Sequence, residues 1–206
     1  MDGLKVVIFG ASGNTGLCCT EAAINLGCEV TAFVRDPEKL PESIASQVTV
    51  KVGDVLDASA VDEAVSGQDG VVILLGTRNN LSATTLMSEG TKNILAAMDE
   101  HGVKRVSGCL SAFNFWERSK VPERFLPILE DHERMLTALK ASNQEWIAVL
   151  PPHITDEPGQ GDYVKEHGSG PGRTISKYDL GHFMVSCLSD DANLHQLCGL
   201  CDKPDS

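Results

Sequence analysis

Tyrosine and tryptophan are scarce in this chain, two of each among 206 residues, and aromatics as a whole make up 5%. Long apolar runs are missing too. Val71–Leu75 is as long as any at five residues, whereas a membrane-spanning helix needs about 20. Positive charge is in deficit: 17 Lys+Arg face 29 Asp+Glu, for a net charge of −12. That balance repels phosphate backbones and argues against nucleic-acid partners. The N-terminus, Met1-Asp2-Gly3-Leu4-Lys5, lacks the basic segment, apolar stretch and cleavage site of a secretory leader. Seven cysteines, an odd number with Cys18 and Cys19 adjacent, do not form a disulfide framework. These absences together predict a cytoplasmic protein with free thiols and no membrane association.

Hydrophobic residues reach 42% and charged residues 22%, enough apolar content for a packed core. The length suits a single domain spanning residues 1–206. Strand-like runs at Val6–Gly10, Val30–Val34, Val48–Val52, Val71–Leu75, Val103–Leu110 and Trp146–Leu150 alternate with helical stretches. Those stretches are Thr15–Leu26 (closed by Gly27), Asp57–Val65, Thr84–Glu100 and Glu130–Ala141. Such a rhythm predicts an α/β fold with a doubly wound parallel sheet, Rossmann-like, helices covering both faces. Beyond Pro151 the glycines at 159, 161, 168, 170 and 172 suggest a loop-rich region, about 151–176, that covers a substrate. A helix over Lys177–Leu188 follows, and the polar segment 189–206 reads as a peripheral tail.

Ligands of doubly wound sheets sit at the carboxyl ends of the strands. After the first strand stands Gly10-Ala11-Ser12-Gly13-Asn14-Thr15-Gly16. Gly10 permits the turn, Gly13 lets backbone approach a diphosphate, and Gly16 lets helix and sheet pack closely. The helix start then offers free N–H groups to phosphate. At the end of the second strand, where an NAD-specific protein carries an acid, Arg35 stands with Lys39 one turn on. A guanidinium suits a 2′-phosphate, so the pattern favours NADP(H). Asp54 and Val55 are placed to flank an adenine, although Asp54 also suits a helix cap. Gly76, Thr77 and Arg78 are placed to run beside ribose and phosphates.

Carbonyl reduction on this fold uses a Tyr four residues before a Lys. Tyr163 is followed at that spacing by His167, and Tyr178 by His182, so ordinary alcohol–ketone chemistry is disfavoured. A conjugated acceptor whose reduced form is protonated by solvent fits this lack; so does a non-catalytic NADP-binding redox sensor. The fifth strand ends in Cys109-Leu110-Ser111-Ala112-Phe113-Asn114-Phe115-Trp116. Ser111 is a candidate to bond nicotinamide or substrate. Phe113 and Trp116 either stack on a flat ligand or anchor the loop. His153 follows the sixth strand, near the carboxamide, and Arg124 and Arg173 are candidates to meet substrate anions. Cys198-Gly199-Leu200-Cys201 has redox or metal spacing but lacks a second ligand pair, so no metal is expected.

Several segments carry a resemblance: Phe9-Gly10-Ala11 with Gly13 and Thr15-Gly16, Val34-Arg35-Asp36, Val52–Leu56, Leu74–Asn79 and Met87–Gly90. Ser111-Ala112-Phe113, Pro151–Ile154, Ile175-Ser176-Lys177 and Leu180–Met184 extend it over nearly the whole chain. The sequence resembles the NADPH-dependent flavin reductase/biliverdin reductase B family of atypical short-chain dehydrogenases. That resemblance implies reduction by NADPH of flavins (FMN, FAD, riboflavin), bound as substrate rather than prosthetic group, and of non-α biliverdin isomers, within heme catabolism, by a monomer. By position it adds Leu75, Met87, Cys109, His132, His153 and Ile154 to the cofactor contacts Gly10, Ser12, Gly13, Asn14, Thr15, Arg35, Asp54, Val55, Gly76 and Arg78. Ser111 and His153 would line the reaction site, and Phe113, Trp116, Arg124 and Arg173 would frame the substrate. Denitrosylation of thiols, carried by Cys109 and Cys187, is implied as well. Ser12 and Asn14 depart from the family's Thr and Gln, Glu38-Lys39 from its Ser-Arg, and Leu110 from a Thr.

Overall fold

A computed structural model describes residues 1–203 of the chain. Its first half alternates β1 (Lys5–Phe9), α1 (Asn14–Asn25), β2 (Glu29–Val34), the short α2 (Glu42–Ala45), β3 (Thr49–Val52), α3 (Ala58–Val65) and β4 (Gly70–Ile73). The second half contains α4 (Leu86–His101), β5 (Arg105–Cys109), α5 (Leu126–Ala141), β6 (Glu145–Leu150), β7 (His153–Thr155), β8 (Tyr163–His167), β9 (Thr174–Ser176), α6 (Lys177–Ser186) and β10 (Leu197–Asp202). The helices expected at Thr84–Glu100 and Glu130–Ala141 appear with shifted starts. The second begins a turn earlier, with Pro127 in its first turn where a missing N–H costs nothing.

The eight-stranded sheet has the order β3-β2-β1-β4-β5-β6-β10-β8. All neighbours are parallel except β10 and β8, which run antiparallel. Order reverses between β1 and β4, where Phe9 pairs with Ile73, and a ligand crevice opens at such a reversal. Strand alternation splits the core. Val6, Ile8, Val72, Ile147 and Val149 face α1 and α6, while Val7, Phe9, Ile73, Ala148 and Leu150 face α3, α4 and α5. A separate parallel ribbon, β7 with β9, pairs His153 with Thr174 and Thr155 with Ser176.

Two expectations fail beyond Pro151. The stretch 151–176 is not merely loop, since it contains β7, β8 and β9. The segment 189–206 is not a peripheral tail, because β10 is an interior strand between β6 and β8. Its Cys198 and Leu200 have no exposed surface. Its run Leu197–Cys201 is apolar but short and set between polar flanks, and pairing on both sides buries it. The last three residues lie outside the described part. The CxxC cysteines are buried strand residues, and among the described residues no group of three or more His, Cys, Asp or Glu could hold a metal. No helix there is long and apolar enough to cross a membrane.

The strand assignment is testable by truncating one side chain. Leu200→Ala should lower unfolding free energy by about 2–5 kcal/mol, the range for emptying a buried leucine site. Urea denaturation measures it, and a loss under about 0.5 kcal/mol, typical of surface positions, would return the segment to the periphery.

Candidate functional site

The chain turns sharply where β1 ends. Gly10 has φ +84°, and a Cβ there would overlap the Leu74 carbonyl oxygen on the chain leaving β4. A Cβ on Gly16 would overlap the Gly10 carbonyl oxygen, so the first turn of α1 lies directly on the loop. The Gly13 N–H donates to that same oxygen at 2.9 Å. Gly13 occupies the N-cap position with no side-chain cap, and the first turn of α1 holds no acidic residue. The first amide groups of α1 are therefore left to an external acceptor. With the dipole's positive end behind them they suit a diphosphate.

Arg35 is exposed just beyond β2, and among the described residues it makes no hydrogen bond or ion pair. Asp36 beside it is engaged locally. Its carboxylate accepts the Glu38 N–H at 3.2 Å and pairs with Lys39 at 3.1 Å. Lys39 thereby holds the Asp36 carboxyl below its ordinary range. Lys39 is committed to that pair, whereas the Arg35 side chain has no such partner among the described residues. Asp54 does not cap α3. It accepts the Leu56 N–H at 2.9 Å, and the cap is Asp57, which accepts from Ser59 and Ala60. Val55 is buried behind this turn, whereas Val52 and Leu56 are 61% and 51% exposed, an apolar shelf suited to a base. Across the crevice, Leu75 is half-buried and Gly76 exposed. Arg78 takes the left-handed conformation at φ 58°, and the Thr77 hydroxyl donates to the Asn80 carbonyl.

A buried carboxylate absent from the sequence reading organises the next wall. Asp131, on α5, has no exposed surface. It accepts the Met87 N–H at 2.9 Å, the Ser88 N–H at 3.4 Å and the Ser88 hydroxyl. Arg134 approaches it at 3.2 Å and also donates to the Thr84 carbonyl at 2.6 Å. Asp131 is thus a cap on α4 supplied from another helix, and it sets where Met87 stands. No local signal reveals it, since the cap and the helix are more than forty residues apart.

His132 lies one turn above Met135, whose side chain packs on Gly108 of β5. This brings His132 level with the carboxyl end of β5. Its Nδ1 is buried without a partner, and burial pushes the imidazole down to about 4. The ring is neutral at physiological pH.

Ser111 is half-buried after β5 and accepts the Phe113 N–H at 3.3 Å. The Ala112 N–H donates to the Pro151 carbonyl at 2.9 Å, tying the loop of Ser111 to that of His153. His153 is exposed at the start of β7, and its N–H donates to the Arg173 carbonyl at 3.2 Å; Ile154 follows, half-buried. Phe113 stands edge-on to Trp116, centroids 5.1 Å apart, and 5.0 Å from Phe125. The Arg124 guanidinium lies 4.8 Å from the Phe125 ring. Arg118, paired with Glu130 and Glu133, ties this aromatic wall to α5. Arg173, though tied to His153 through its carbonyl, borders a different cleft. It lines that cleft, of about 570 Å³, with Glu157, Ser176, Asp202 and Lys203, and the aromatic wall contributes nothing to it.

The two cysteines part company. Cys109 is half-buried at the site's edge, and burial pushes its thiol up to about 12. Cys187 is buried under the sheet, bonded to the Met184 carbonyl at 3.4 Å, with its thiol also pushed up by burial. Neither thiol is set up as a thiolate, and the structure does not bring Cys187 to the site. Both tyrosines lie away from the reaction edge. Tyr163 is on the outermost strand, its hydroxyl 3.4 Å from His182, with burial raising it to about 12. Tyr178 is exposed on α6.

The fold and the bare glycine turn define a dinucleotide-binding α/β protein. A profile of NAD(P)H-binding proteins matches residues 10–191, and the chain belongs to that family. Over 107 residues it is 35% identical to the N-acetyl-alpha-D-glucosaminyl-diphospho-ditrans,octacis-undecaprenol 4-epimerase of Escherichia coli O157:H7, a match covering 50% of this chain and 30% of the epimerase. The matched stretch thus spans under a third of that relative. Among solved structures, a short-chain dehydrogenase/reductase from Veillonella parvula in complex with NADP superposes with TM-score 0.75 at 16% identity, covering 98% of this chain and 99% of that one. ChuY, an anaerobillin reductase from Escherichia coli O157:H7, gives TM-score 0.80 at 18% identity, covering 98% and 100%. At such identities the superpositions show a shared fold.

The buried imidazole predicts a pH dependence. The unfolded chain binds a proton at His132 near pH 6.5, and the folded protein only near 4. The folded protein therefore keeps this contribution whole above pH 6.5 and loses it as pH falls towards 4, by up to about 3 kcal/mol. Urea titrations from pH 7 to 4 should show a fall that His132→Gln flattens; parallel curves would place the ring in solvent.

Proposed function

We propose that the protein is an NADPH-dependent reductase of flat, conjugated, anionic acceptors, flavins and linear tetrapyrroles such as biliverdin. The observation that carries this reading is the aromatic wall of Phe113, Trp116 and Phe125 with Arg124 laid against it, at a reaction edge without a phenol. NADPH bound in the crevice supplies a hydride. The chain's part is to bind and orient. The α1 amides hold the diphosphate, Arg35 the 2′-phosphate, and the exposed shelf of Val52 and Leu56, in place of the buried Val55, the adenine side with Leu75. Ser111 and His153 position the nicotinamide against the acceptor, whose face lies on the aromatic wall and whose anionic groups meet Arg124. Much of the rate then comes from orientation. With the Cys109 thiol pushed up and the His132 imidazole neutral, solvent supplies the proton.

The NADP-bound Veillonella relative and the anaerobillin reductase ChuY support this choice of cofactor and acceptor class, as does the free guanidinium of Arg35. The epimerase relative turns over a sugar; an aromatic wall carrying an arginine suits a bilin or isoalloxazine better than a hydrated pyranose.

Mixing protein, NADPH and FMN or biliverdin and following absorbance at 340 nm tests the proposal. Oxidation well above the spontaneous rate is expected; its absence, with NADPH still bound, would leave a non-catalytic NADP sensor. A second test concerns the cofactor. Arg35→Ala should raise the Michaelis constant for NADPH by roughly tenfold or more, the worth of a charge-assisted contact, and leave that for NADH nearly unchanged. Equal effects on both would remove Arg35 from the 2′-phosphate.

A further inference from the structure

We infer that Lys177 is a further cofactor-binding residue, the cation for the dinucleotide's diphosphate, held beside the glycine turn by Asp156 until that anion arrives. The inference rests on the dinucleotide reading above and adds a residue to it. Lys177 opens α6, where the Ser176 side chain caps the helix by accepting the Tyr178 N–H. Its ammonium donates to Asn14 Oδ1 at 3.3 Å and to Asp156 Oδ1 at 2.8 Å, and Asn14 Nδ2 donates to the same Asp156 oxygen at 3.3 Å. Asn14 is the first residue of α1, next to Gly13. One cation is therefore bonded directly to the side chain that begins the phosphate-facing turn.

Its surroundings limit where the charge can go. The Lys177 side chain is 17% exposed and that of Asp156 78%. The ammonium is confined while its partner stands in water. Helix α6 lies hard against α1, since a Cβ on Gly181 would come within 2.7 Å of the Cys19 nitrogen. The Lys177 backbone is thereby fixed beside the turn, within side-chain reach of it. A pair whose acid is this solvated holds weakly, so a doubly charged diphosphate at the α1 amides competes well for the ammonium.

The electrostatic need is specific. The helix end offers about half a positive charge, the diphosphate carries about two negative ones, and the protein as a whole is at −12. Arg35 stands beyond β2 and Arg78 beyond β4, while Lys177 is the cation bonded to the turn itself. Asp156 follows Thr155, the last residue of β7.

Calorimetric titration of the full chain with NADPH, NADH and adenosine 2′-monophosphate, which lacks the diphosphate, tests this. Lys177→Met should weaken NADPH and NADH alike, about five- to tenfold, the effect of one charge-assisted contact, and leave adenosine 2′-monophosphate within twofold. Lys177→Arg, which keeps the charge, should stay within about threefold of wild type for both dinucleotides. Asp156→Asn should act in the opposite direction and tighten both, because the ammonium loses its competitor. If Lys177→Met matches wild type, or Asp156→Asn weakens binding as Lys177→Met does, the trio is a structural brace and the inference falls. Wild-type protein that binds neither dinucleotide overturns the cofactor reading as well.

Discussion

The tight backbone approach at the reversal of strand order is the constraint on which the rest depends. Gly10 lies on the carbonyl of Leu74, and Gly16 lies on the carbonyl of Gly10. Side chains at either position would push α1 away from the crevice between β1 and β4. Only with the helix seated there do its unpaired amides face the place where two strand ends diverge. The α1–α6 packing, the position of Asn14 and the reach of Lys177 all follow from that seat.

Charge is distributed against this background. An acidic protein of the NAD(P)H-binding family carries few cations, and three of them stand at element ends: Arg35 after β2, Arg78 after β4 and Lys177 at the head of α6. At a strand or helix end a side chain reaches solvent without crossing the core. Asp36 could have opposed them, but Lys39 and the Glu38 amide turn it aside. Which charged side chains near the end of β2 are already paired and which are not is thereby set by local contacts.

The reaction edge is built differently, from apolar surface and neutral groups. Burial lowers the His132 imidazole and raises the Cys109 thiol, so both remain uncharged at neutral pH. An edge of that kind places no charged acid or base among these two side chains. Asp131 is the exception that makes the rest possible. Fully buried, it survives because two α4 amides, the Ser88 hydroxyl and Arg134 supply the hydrogen bonds that water would.

How much of this was legible beforehand divides by the range of the interactions. The phosphate turn, the cation after β2, the missing phenol and the alternation of strand and helix are local patterns, written in spacing and period, and the sequence by itself determined them. Strand β10 escaped because its short apolar run is set in a polar segment, and only its partners on both sides make it an interior strand. Asp131 escaped because a cap supplied across two helices leaves no motif. Arg124 and Arg173 share a residue type, but the course of β7 and β9 decides that only one joins the aromatic wall. Likewise, only tertiary packing places Lys177 against Asn14, more than 160 residues away in the chain. Propensity and periodicity act over a few residues; which distant groups then meet is settled when the sheet closes and its helices dock.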